Sequence, residues 1–268
     1  MKAETGIPIV LIVVFAGCIS PSHQNDHTTQ VVAGKISGVV VSDSGSATVG
    51  GAGLDMALDL GDGVEMEMVW VEALKGWVGK YEVTNEEYRK FRPKHDSQQY
   101  KGLTLNEDRQ PAVEVSYDRA VEFCKWVDQK AKVPQGYHVR LPNGQEWLTY
   151  AQCGDGREYP WGNEWPPKYG NYQGQEGLGP VKIAGYNDGH PVSCVVELSG
   201  KNDWGLYGVG GNVFEWTSEP YESGKDWRVI RDASWLNPDP KYLRCSHRRG
   251  RRPWDGSHKV GFRVVVLR

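Results

Sequence analysis

Residues 205–218 read Gly-Leu-Tyr-Gly-Val-Gly-Gly-Asn-Val-Phe-Glu-Trp-Thr-Ser. Their apolar side chains stand among glycines without helical spacing, and one carboxylate, Glu215, lies between Phe214 and Trp216. The same character extends outward on both sides. From Cys153 onward no helical period is visible for about a hundred residues. Only Arg228 to Asp232 and Val260 to Leu267 read as strands there. The second of these, with its run of valines at 264–266, is expected to be central and buried. The 268 residues include 11 Trp, 33 Gly and 15 Pro. Rings scattered among turn formers imply a loop-rich fold whose irregular segments are held down by large aromatic anchors.

Ahead of Cys153 regular elements are legible. Val69 to Val71 and Trp77 to Tyr81 read as short strands bounded by glycine. Thr84-Asn85-Glu86-Glu87 is a capping box that starts a short helix. A second helix is expected from Ser116 to about Lys130, with Ala120, Cys124, Val127 and Ala131 on one inward face. Asn143-Gly144-Gln145-Glu146 opens a third, which carries Trp147, Leu148 and Ala151.

Toward the start of the chain the composition changes. Residues 19–60 are rich in Ser, Thr, Gly, Asp and His and read as a flexible tether, with the globular pattern beginning at Met66. Ile7 to Gly17 is an apolar run of 11 residues after Lys2 that ends in Phe15-Ala16-Gly17-Cys18. A bilayer span needs about twenty such residues, so the run is too short to cross one. It resembles a bacterial lipoprotein signal peptide, in which Cys18 would be acylated; an ordinary cleaved signal and a buried helix are the alternatives. The expected partition is therefore signal 1–18, tether 19–60 and one domain 61–268, exported and held to a membrane by an N-terminal lipid.

The net charge of −3 argues against nucleic acid as a partner. Cys124, Cys153, Cys194 and Cys245 permit three disulfide pairings in an exported chain, and none is spaced as C-x-x-C. The seven histidines lack His-x-x-His spacing, and there is no Gly-x-Ser-x-Gly elbow. No catalytic residue is assigned on these grounds.

Five segments in order carry a resemblance: Glu67–Val71 with Gly79–Asn85; Pro111–Trp126; Arg140-Leu141-Pro142 with Glu146-Trp147 and Tyr159-Pro160-Trp161-Gly162; Gly205–Ser218; and Arg231–Trp235 with Arg244 and Gly261-Phe262-Arg263. Together they resemble the formylglycine-generating-enzyme, or sulfatase-modifying-factor, family. The resemblance implies an α+β, C-type-lectin-like fold with little regular structure. It also implies a structural disulfide between Cys153 and Cys245. The family partner of Cys124 is replaced by Val264, so Cys124 is either free or paired with Cys194.

In the active enzymes of that family a pair of thiolates after a Gly-Gly-Ser-Tyr/Trp segment holds copper. Here the segment is Asp232-Ala233-Ser234-Trp235, and Asn237 and about Tyr242 occupy the thiolate places. Oxygen ligands do not suit copper(I), so neither copper nor formylglycine-generating activity is expected. The family's calcium sites map more fully. Asn171, Tyr172, Asp188 and His190 match the first, and Gly211, Val213 and Glu215 the second, where Gly208 replaces an asparagine. Ser234, Trp235, Asn237, Tyr242, Arg248, Arg249, Arg251 and Trp254 are expected to line the groove that binds peptide in the enzymes. Guanidinium forks and indole faces suit a peptide, protein or carbohydrate ligand. Two functional readings follow: a binding or display module on a lipid anchor, or an enzyme with a divergent, non-copper site acting on a protein or peptide.

Overall fold

Alternation of apolar and charged residues builds the first sheet. The computed structural model describes residues 51–222 and 226–268. Cys18, the apolar run before it and residues 19–50 of the expected tether lie outside the described residues. Strand β1 (Met56–Asp59) pairs antiparallel with β2 (Glu65–Val71), Met56 opposite Met68. Met56, Leu58, Met66 and Met68 are buried while Glu65 and Glu67 point to solvent, the period-two pattern of a half-buried strand. The expected boundary at residue 61 is thereby corrected. Residues 56–60 belong to the domain because Met56, Leu58 and Leu60 supply core side chains.

The sheet continues through β3 (Gly76–Gly79), and two short strands, β4 (Gln99–Tyr100) and β5 (Leu103–Thr104), form a separate hairpin. With β11 (Val265–Leu267) next to β3 and β6 (His138–Arg140) at the far edge, the five-stranded sheet has the order β1-β2-β3-β11-β6. A second sheet of order β10-β7-β8-β9 is built from β7 (Phe214–Pro220), β8 (Arg228–Arg231), β9 (Arg248–Arg251) and β10 (Val260–Gly261).

Val260 to Leu267 is thus not one strand, contrary to expectation. Between β10 and β11 the side chains of Phe262 and Arg263 turn into the core, fully buried, and the segment passes from one sheet to the other. Its carbonyls at Phe262 and Val264 accept from Val83 and Gly79 at 2.9 Å each, so these two acceptors of the crossing are satisfied. The valines are buried as expected. Strands β7 and β9 escape a sequence reading because Arg-Arg-Gly-Arg is an edge strand without apolar alternation and β7 ends in Ser-Glu-Pro.

The helices follow their caps. Helix α1 (Asn85–Phe91) starts where Thr84 Oγ1 accepts from Glu87 N at 3.2 Å and Glu87 accepts from Thr84 N at 2.8 Å. Ser116 caps α2 (Tyr117–Lys130), whose inward face carries Ala120, Phe123, Cys124 and Val127. Asn143 and Glu146 complete the box of α3 (Gly144–Ala151). One core cluster joins Trp77, Phe123, Phe214, Trp216 and Phe262; another joins Trp147, Tyr150, Val265 and Leu267.

Cys124, Cys153, Cys194 and Cys245 are all free thiols here. The expected Cys153–Cys245 bridge is not formed: Cys153 sits at a left-handed φ of 48° with its thiol directed to the Tyr150 carbonyl at 3.8 Å. Cys124 is unpaired on the inward face of α2, where burial pushes its thiol well above the usual range.

Candidate functional site

The stretch 205–218 runs through the centre of the domain, and β7 delivers Glu215 there fully buried. Arg263, also fully buried, reaches its Oε1 at 2.8 Å, and Trp147 Nε1 donates to its Oε2 at 2.7 Å. Both oxygens are therefore taken. Arg263 additionally donates to the carbonyls of Gly79 and Tyr207 at 2.8 and 2.6 Å, tying together three separate segments.

A second carboxylate, Glu82, lies beside this pair with both oxygens buried and no hydrogen-bond partner. Burial, reinforced by the Glu215 charge and opposed by Arg263, pushes its pKa up to about 8. A Cβ at Gly208, which has a left-handed φ of 70°, would lie 2.3 Å from the Glu82 carboxylate. The glycine is what makes room for it. Asp232, at φ 81°, is a third buried carboxylate, whose pKa burial and the Glu215 charge raise well above its usual range.

At the second set expected for calcium, the Glu215 carboxylate already has protein partners. Glu215 accepts from Arg263, Trp147 and Tyr150; Gly211 packs against the Tyr172 ring, and the Val213 side chain is core. The first set is brought together differently from expectation. Asp188 accepts from Tyr172 N and His190 N, each at 2.9 Å, so the amides of those residues face the carboxylate. Asn171 turns its amide to Val192 O and Asn212 Oδ1 at 2.8 and 3.1 Å, leaving its own Oδ1 buried without a partner. Beside Asp188 stands Glu176, whose two oxygens are buried and unpartnered. Burial and this neighbour push Asp188 up to about 7. Among the described residues no three His, Cys, Asp or Glu converge as a metal cage. The Asp188–Glu176 pair still fits a hard cation, because both Glu176 oxygens are unmet acceptors beside a second carboxylate. Glu176 went unnoticed in the sequence because an isolated glutamate in a Gly-Gln-Glu-Gly run carries no spacing signal.

The expected groove divides. Ser234 and Trp235 are fully buried, so neither lines a surface: the β4–β5 hairpin lays Tyr100 over the indole at 5.0 Å. Asn237 sits in the place of the first thiolate and closes a turn, its Oδ1 accepting from Ser234 N at 3.0 Å and Ser234 Oγ at 2.7 Å. Tyr242 ends a 3-10 turn and meets His247 edge-on at 5.1 Å. No soft ligand stands at either position, so these residues do not fit copper. Arg248, Arg249 and Arg251 share β9, and Trp254 follows it with 59 % of its surface exposed. Arg248 is bound to Glu219 at 2.6 Å, and Arg251 donates to the carbonyls of Asp255 and Gly256. A cavity of about 460 Å³ opens beside this strand, and two of its walls, Tyr221 and Trp227, were not foreseen. Their signal was the sequence run Tyr-Glu-Ser-Gly-Lys-Asp-Trp at 221–227, aromatic at both ends.

Comparison with known proteins agrees with this geometry. The chain is 36 % identical over 162 residues to the inactive C-alpha-formylglycine-generating enzyme 2 of Bos taurus, covering 58 % of this chain and 50 % of that protein. It is 31 % identical over 181 residues to the formylglycine-generating enzyme of Mus musculus, covering 60 % and 45 %. The chain spans about half the length of these curated relatives. Treponema denticola variable protein 1 superimposes with a TM-score of 0.62 at 19 % identity, over 80 % of this chain and 99 % of that one, which shows the C-type-lectin-like fold. The family described as the sulfatase-modifying factor enzyme 1-like domain matches residues 24–267, and the chain belongs to it.

Proposed function

We propose that this protein is a non-catalytic binding module of the sulfatase-modifying-factor family, exported and anchored through a lipid on Cys18, that takes a peptide or carbohydrate ligand on the surface around β9. The observation that carries the reading is Asn237 locked to Ser234 by its side chain where the active enzymes need a thiolate. Similarity to a relative whose name describes it as inactive supports the same conclusion. Calcium, on this reading, is held at Asp188 and Glu176, where it would neutralise two carboxylates and brace the loop that Asp188 ties to Tyr172 and His190.

The test combines elemental analysis of the purified full chain with an assay for aldehyde on a cysteine-containing sulfatase peptide. Calcium without aldehyde is the expected result. Stoichiometric copper or iron, or any aldehyde formed, would replace the reading with that of an enzyme carrying a divergent site. Cys18→Ala should move the protein out of the membrane fraction, and retention there would defeat the anchor.

A further inference from the structure

Strand β9 is the outer strand of its sheet and pairs with β8 alone, in a regular antiparallel ladder from Arg228 opposite Arg251 to Arg231 opposite Arg248. Alternate backbone N–H and C=O groups along its other edge therefore point outward, as they do on any edge strand. Such an edge is normally blunted by charge. Here the strand's own charges are all positive, and they are compensated only in part, by Glu219 at Arg248 and by Asp255 near Arg251. Arg249 and Arg252 are exposed and have no acidic partner among the described residues. Lys259 is half-buried next to Arg249 and Arg251, and those two guanidinium groups, after burial, hold its ammonium below the usual range. Like charges packed together in a protein of net charge −3 cost free energy unless an anion joins them.

The shape beside the strand is equally specific. A Cβ at Gly250 would meet the Tyr221 ring at 2.4 Å, so only glycine lets the ring lie flat against the strand. Tyr221 and Trp227 stack with centroids 6.3 Å apart and 29° between planes, and together with Arg249, Arg251 and Arg252 they wall the 460 Å³ cavity. The result is an open strand edge, a flat aromatic shelf and unpaired cations on one surface.

We propose that β9 accepts an extended acidic peptide segment of another protein, which adds as a fifth strand to the β10-β7-β8-β9 sheet. Its carboxylates pair with Arg249, Arg252 and Lys259, and an apolar side chain lies on Tyr221 and Trp227. The proposal rests on the binding-module reading and narrows it to one ligand class. The open backbone edge favours a peptide over an anionic saccharide, because a peptide main chain offers donors and acceptors in strand register.

Fluorescence anisotropy of the full chain tests it with a labelled peptide of about eight residues alternating Glu and Val, the same peptide with Lys for Glu, and the same peptide N-methylated at alternate amides. Binding of the acidic peptide, weakened by salt, with no binding of the Lys peptide and about a tenfold loss on N-methylation, is the expected result. Arg249→Glu and Arg252→Glu, at exposed positions, should each weaken binding by about tenfold without lowering the melting temperature. Equal binding of the N-methylated peptide would overturn strand addition. Binding of an oligogalacturonate in place of either peptide would overturn the peptide class while leaving a binding module intact; aldehyde formation in the separate assay is what would remove the module itself.

Discussion

Arg263 shows how much one side chain decides in this protein. Its guanidinium neutralises Glu215 in a site without solvent and caps two backbone carbonyls. Removing it strands a carboxylate that Trp147 and Tyr150 cannot compensate. Arg263→Met should therefore cost about 3–5 kcal/mol in chemical denaturation. A loss within about 1 kcal/mol would mean that Glu215 takes up a proton or water at little cost. Neither partner announces the other in the sequence. Glu215 and Arg263 are 48 residues apart, and Glu82, which shares the site, is farther still from both. The residue type of Glu215 suits a cation, and only the approach of Arg263 shows that a guanidinium stands against it.

At the scale of elements, what was legible was local. Thr84 with Glu87 and Asn143 with Glu146 form the boxes that their spacing implies, because a cap needs only four consecutive residues. Asn143→Ala should cost about 1 kcal/mol in thermal or chemical melts, since its side chain satisfies the amides of both Gln145 and Glu146. An unchanged midpoint would show that the bidentate Arg140–Glu146 pair, at 2.7 and 2.8 Å, holds α3 unaided. The inward face of α2 was legible for the same reason of short range. The split of Val260–Leu267 was not, because it depends on which sheet each half meets. Strand β9 was illegible as a strand and yet carried the arginines that mark the candidate surface.

Across the whole molecule the buried acids set the response to pH. Glu82 and Glu87 titrate in the folded state at about 8 and about 7 against an ordinary 4.5, and Asp188 at about 7 against 3.8. Between those values the folded chain keeps protons that the unfolded chain has released, so stability falls as pH rises toward 8. His95 acts in the opposite sense: burial lowers it to about 4 from 6.5, and its cost appears only as pH falls below 6.5. The melting temperature should therefore be higher at about pH 6.5 than at about pH 8, and calcium at Asp188 and Glu176 should narrow that gap by replacing the proton. A melting temperature that rises toward pH 8 without calcium would show these acids to be ionised in the fold. Near neighbours and residue type in the sequence suffice for the family, the α+β character and the helix starts. The tertiary structure alone decided that Trp235 is core, that Glu215 belongs to Arg263, that Glu176 joins Asp188 and that Tyr221 and Trp227 wall a cationic strand edge. In each of these a partner far along the chain, or a covering hairpin, sets the chemistry, and no local pattern encodes which distant groups the closed fold brings within hydrogen-bonding or packing distance.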